Sequence, residues 1–143
     1  MICSGQTDGD GSVKGSGLMK DLKFYYCQDG DNLAYMLNEG SGKMVCCGEP
    51  MSLLHAGTTD TMPDKHIPRV TREAGMVHVI VGEEEHPMTP QRHISWIAAA
   101  QGDKVQFLHL HPGDEPKASF HVEEGPVQVY GFCNLHGLWM TEA

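Results

Sequence analysis

Val77-His78-Val79-Ile80-Val81, ending on Gly82-Glu83, and Ile94-Ser95-Trp96-Ile97-Ala98, followed closely by Gln101-Gly102-Asp103, decide the fold of this chain. Both are short, apolar and bounded by turn residues, which is how strands rather than helices read. Three more stretches of the same kind follow outward toward the C-terminus, Val105 to Leu110, Ser119 to Val122 and Val127 to Phe132, with Pro112-Gly113-Asp114 among the turns. No segment keeps a 3.6-residue apolar period and no internal repeat is present. Regular short strands separated by turn signals predict an all-β, antiparallel β-sandwich over residues 57–143.

Upstream, Lys23-Phe24-Tyr25-Tyr26-Cys27 reads as a short aromatic strand, Gln28-Asp29-Gly30-Asp31 as a turn, and residues 33–37 and 43–47 as two further strands. Residues 22–56 thus form a small hairpin module, below the size at which an apolar core alone suffices, so a metal or a neighbouring domain should support it. Ala56 to Pro63, rich in Thr, Gly, Asp and Pro, reads as a linker. Residues 1–21 hold five glycines and few apolar side chains, which predicts a flexible extension.

The chain has 143 residues, 40% of them apolar, and a formal net charge of -9. That balance argues against nucleic acid and against anionic membrane surfaces as partners. No apolar run approaches the ~18 residues of a membrane span, and the first residues do not resemble a secretory leader, so a cytoplasmic location is expected. Five cysteines, an odd number, favour thiolate or metal chemistry over a disulfide framework, and nine histidines point the same way. Spacing sharpens this. Cys133-Asn134-Leu135-His136 puts a thiol and an imidazole three apart at a strand end, and His86-Pro87-Met88 lies in a loop with His93 close behind. Several imidazoles with one thiolate suit iron, zinc or copper better than magnesium or calcium.

Lys65-His66-Ile67-Pro68, His86-Pro87-Met88 and Cys133-Asn134-Leu135-His136-Gly137 stand in the order and spacing of the superoxide reductase iron domain, and the chain resembles the desulfoferrodoxin family. Residues 24–27 and Cys46-Cys47-Gly48-Glu49-Pro50-Met51 are similar to the desulforedoxin-like module that precedes that domain. The resemblance covers about residues 22–140 and implies a seven-stranded immunoglobulin-like sandwich. It also implies a mononuclear non-haem iron with four equatorial histidines, an axial cysteine and an open sixth position, at which superoxide is reduced to hydrogen peroxide. A small electron donor such as a rubredoxin would restore ferrous iron, and family members are commonly homo-oligomers. By the same resemblance His66, His86 and His136 are imidazole ligands and Cys133 is the axial thiolate. The resemblance also makes Lys65 the candidate for the positive group that attracts the anion. Asp64 stands where the family has a glutamate that binds the oxidised iron, with an arm one methylene shorter.

Two departures stand out. The family's third equatorial histidine falls at Arg92, which stays protonated and cannot ligate, and His93 is one residue late. Ungapped pairing keeps Ile94 and Trp96 on apolar positions, whereas a one-residue slip would turn them to the opposite face. Either His93 reaches inward through a local bulge, or three histidines and Cys133 remain, a set that suits tetrahedral zinc at least as well as iron and would make a non-catalytic site. In the small module Gly30 replaces the second cysteine of a CxxC pair. Cys27, Cys46 and Cys47 alone cannot complete a four-thiolate iron centre, which is expected to be absent, with Cys3 a remote spare thiol. His109 and His111 read as the polar face of a half-buried strand, and His55, His78 and His121 as structural or solvent-facing. Glu83-Glu84-Glu85 reads as a solvated run.

Overall fold

The computed structural model describes residues 22–58, 66–82 and 86–143. The predicted extension over residues 1–21 and the acidic run 83–85 lie outside them. The described residues form strands joined by turns, and no helix among them is long and apolar enough to cross a membrane.

Seven strands make the sandwich. One sheet has the order β10 (Lys117–His121), β7 (Met76–Val81), β6 (Pro68–Glu73), and the other β12 (Gly137–Glu142), β11 (Gln128–Cys133), β8 (Ile94–Gln101), β9 (Lys104–His109). All neighbours are antiparallel. β7 alternates as its sequence does, burying Val77, Val79 and Val81 while His78 stays half-exposed and bonds Ser119 Oγ and Glu73 Oε2. Two of the seven strands escaped the reading of the chain. β6 carries the exposed Arg69, Arg72 and Glu73, and β12 follows directly on the Cys133–His136 turn, so neither shows a clean apolar signal.

β8 and β11 are buried along nearly their whole length, because each has a core on both faces. Inside the sandwich, Ile94, Ile97, Ala99, Val129 and Cys133 pack with the β7 valines and Phe120. On the outer face, Trp96, Ala98, Tyr130, Phe132 and Leu138 pack against Phe24. The N-terminal strands supply that cover. β1 (Phe24–Tyr26) lies between β2 (Leu33–Tyr35) and β5 (Ser52–Leu53), while β3 (Val45–Cys46) pairs with β4 (Glu49–Pro50). Phe24, 1% exposed, meets the rings of Trp96 at 5.0 Å, Tyr35 at 5.4 Å and Tyr130 at 5.8 Å. The Tyr130 hydroxyl accepts from the Leu22 N–H and donates to Gln128, so the polar tip is satisfied where the ring is buried. The supporting neighbour that the small module requires is therefore the outer face of the sandwich.

The stretch that reads as a linker also has fixed structure at its start. Gly57 bridges to Trp139, its N–H donating to the Leu138 carbonyl at 2.8 Å and its own carbonyl accepting from the Met140 N–H at 2.9 Å. A Cβ at Gly57 would lie 2.7 Å from the Trp139 ring, so only glycine fits there. Because Phe24 holds the N-terminal strands to the sandwich, Phe24→Ala is expected to destabilise the protein by about 3–5 kcal/mol, read from urea unfolding. A loss within the range of a surface substitution would mean that the outer core is not shared.

Candidate metal centre

β11 and β8 end together in an irregular register. Phe132 pairs with Trp96 but Cys133 pairs with Ile94, so Ser95 is an extra residue in β8. This bulge reverses the side-chain parity of what precedes it. Ile94 thereby faces the same core as Ile97, with Cys133 beside it. After Cys133 the chain turns through Asn134, Leu135 and His136 and re-enters the sheet at Gly137, whose φ of 89° favours glycine. That short return brings His136 back over Cys133.

The donor atoms of His66, Cys133 and His136 lie within 4.8 Å of one another. His66 and Cys133 are fully buried, and His136 is half-buried. His136 Nδ1 is 3.1 Å from His66 Nε2 and 3.9 Å from Cys133 Sγ. Two imidazole nitrogens at hydrogen-bond distance share one proton between them, and an ion taken up there must displace it. His86, 3% exposed, places its ring 4.7 Å from that of His66. Its Nδ1 donates to the Pro87 carbonyl at 2.7 Å, so in the neutral ring Nε2 carries the lone pair. Three neutral imidazoles and a buried thiol are the donor set of a soft or borderline transition metal, which fits iron and zinc alike.

His93 stands apart from the converging atoms. It is half-buried, its Nδ1 donates to the Thr89 carbonyl at 3.0 Å, and its backbone N–H donates to Asn134 Oδ1 at 2.8 Å. The bulge foreseen as a route for His93 is present at Ser95, yet the side chain it carries toward Cys133 is Ile94. Arg92 closes a tight turn, exchanging backbone hydrogen bonds with Thr89. Asp64 and Lys65 lie outside the described residues. Two contributors were missed in the sequence. Trp139 stacks on His66 at 4.9 Å and 13°, backed by Gly57. Asn134 ties the loop to the turn, donating to the Gln91 carbonyl as well as accepting from His93. The tryptophan three residues beyond His136 was a signal available for the first.

Two family models match this chain: desulfoferrodoxin over residues 58–142 and desulfoferrodoxin, N-terminal domain, over residues 20–54. The chain belongs to the desulfoferrodoxin family. A desulfoferrodoxin from Syntrophotalea carbinolica is 39% identical over 125 residues, 87% of this chain and 99% of that protein. A desulfoferrodoxin homolog from Archaeoglobus fulgidus is 41% identical over 120 residues, 84% of this chain and 96% of that protein. Among solved structures, the superoxide reductase from Treponema pallidum superposes with a TM-score of 0.69 at 30% identity, covering 85% of this chain and 98% of that one.

A second group of family residues lies at the N-terminal strands, where Cys27, Cys46 and Cys47 bring their sulfurs within 4.8 Å of one another. The Cys46 thiol bonds to the Cys27 sulfur and holds Cys27 below the ordinary thiol range, with the Gly30 N–H helping at 3.3 Å. The same bond, reinforced by burial, pushes Cys46 up to about 11. The raised group is the one that stays protonated, so its nucleophilic thiolate forms only as the pH approaches 11. In the metal-free, reduced protein, alkylation of Cys46 followed by peptide mass spectrometry is expected to keep accelerating above pH 10. Cys27→Ala should bring that rise to lower pH, and an unchanged profile would contradict the assigned cause.

Proposed function

We propose that the protein is a superoxide reductase, reducing superoxide to hydrogen peroxide at a mononuclear iron held by His66, His86, His136 and Cys133. The observation that carries this reading is the convergence of His66, Cys133 and His136 on one buried point, with the His86 ring alongside. Iron bound there supplies a one-electron couple between the ferrous and ferric states. The described cysteines carry free thiols, as a reducing cytoplasm allows.

What the chain contributes follows from its own residues. The three imidazoles are neutral donors and Cys133 brings the single negative charge, so electron density at the site comes chiefly from sulfur. The Trp139 ring over His66 and the core around Cys133 keep water from the inner side of the site. His86 is fixed in orientation by the Pro87 carbonyl. The substrate is an anion and the chain is strongly acidic, so local positive charge must draw it in. Arg92, in the turn before β8, and Lys65, adjoining His66 in sequence, take that role, and Asp64 is the carboxylate available to cap the oxidised site. Each superoxide takes one electron and two protons to become hydrogen peroxide, the electron coming from a small carrier such as a rubredoxin. Gly30 in place of a fourth cysteine supports the absence of a four-thiolate iron centre from the N-terminal strands.

The separation of His93 from the other donors favours one alternative, a closed tetrahedral site of three histidines and Cys133 that binds zinc and does not turn over. Product stoichiometry separates the two. Reduced, iron-loaded protein given superoxide is expected to yield one hydrogen peroxide per superoxide consumed and no dioxygen. Evolution of dioxygen would indicate dismutation, and no consumption beyond the buffer rate would favour the closed site. Arg92→His should raise the rate if the missing imidazole limits it, and no gain would remove that explanation.

A further inference from the structure

We propose that Cys27, Cys46 and Cys47 form a three-coordinate site for a soft, thiophilic cation of the monovalent copper class. It is separate from the histidine site and independent of the proposed reductase activity. Cys27 follows β1 and is buried, while Cys46 ends β3 and Cys47 begins the turn into β4. The chain adopts left-handed backbone at Cys47 (φ 55°) and again at Gly48 (φ 78°), and by this turn the Cys47 sulfur comes within 3.8 Å of the Cys46 sulfur.

The place of a fourth ligand is what selects the ion. A Cβ built on Gly30 would sit 3.3 Å from the Cys47 sulfur, 3.4 Å from that of Cys27 and 3.6 Å from that of Cys46. Gly30 therefore closes the sulfur triangle on one side without offering a donor. The neighbouring polar side chains are already engaged: the Asp31 carboxylate accepts from the Tyr26 hydroxyl at 2.7 Å, and the Asn32 amide donates to the Cys46 sulfur itself at 3.6 Å. The Gly30 N–H points at Cys27 in the same way. Three sulfurs, two of them already accepting hydrogen bonds, stabilise a cation without any oxygen or nitrogen ligand. Zinc and iron bound by thiolates are held tetrahedrally and need a fourth donor, whereas monovalent copper is selected by soft sulfur and is satisfied by three.

The test uses the full chain, reduced and with its histidine site loaded with iron, titrated anaerobically with monovalent copper against a competing chelator. One copper per chain is expected, with three sulfur neighbours and no nitrogen in its X-ray absorption spectrum. Cys47→Ser, an exposed position whose change spares the core, should weaken binding by about a hundredfold or more, beyond what loss of an outer hydrogen bond does. Gly30→Cys should shift the preference from copper toward zinc and ferrous iron by supplying the fourth thiolate. Equal copper affinity in the native and Cys47→Ser proteins, with the circular dichroism of both unchanged, would overturn the proposal. So would a nitrogen neighbour in the copper spectrum, or tighter binding of zinc than of copper by the native chain.

Discussion

The antiparallel pairing of β11 with β8 is the constraint on which the rest of the molecule depends. These two strands are buried on both faces, so they carry the sandwich core and the outer aromatic core at once. They also end at the bulge that aims Cys133. Moving the register by one residue would exchange Trp96 and Phe132 with Ile97 and Val129 between two cores of different shape, which makes the pairing strongly specified. The thiol is thus placed by the burial of its neighbours. His136 follows from the turn that Gly137 permits, and His66 from its position just before β6, where Trp139 receives its ring.

The N-terminal strands are part of this arrangement and not an appendage to it. Phe24 fills the outer core, Leu22 reaches the Tyr130 hydroxyl, and Gly57 seats the ring that stacks on His66. A chain of contacts therefore runs from β1 through Trp96 and Tyr130 to the strands that hold the site. It continues from the end of the N-terminal segment through Trp139 to His66. The same segment holds a second set of soft donors, the three sulfurs beneath Gly30, on elements that supply no ligand to the histidine site. Two groups of soft ligands on one small chain explain why the four described cysteines carry free thiols.

Much of this was legible before the fold was known. The short apolar stretches that became β7 and β8 announce strands, though not the double burial of β8, and the Cys133–His136 spacing announces a turn able to bring thiol and imidazole together. β6 was hidden by its charges, since Arg69, Arg72 and Glu73 are exposed on an edge strand. The bulge was legible only as a possibility: its effect depends on the partner strand, and it delivers Ile94 to the core where His93 had been considered. Trp139 and Gly57 were invisible as a pair because their meeting is long-range and glycine carries no pattern. The three N-terminal cysteines were seen as an incomplete centre, but the closeness of Gly30 to all three sulfurs is a property of the folded chain alone.

The central claim, that Cys133 is the thiolate of a redox-active iron, is tested most directly by the visible spectrum of the iron-loaded, oxidised protein beside that of Cys133→Ser. Both are carried in a Cys47→Ser background so that the N-terminal sulfurs do not contribute. A thiolate-to-ferric charge-transfer band in the parent that disappears in Cys133→Ser is the predicted result. A parent that retains iron without such a band, or a band that survives in Cys133→Ser, would contradict the account.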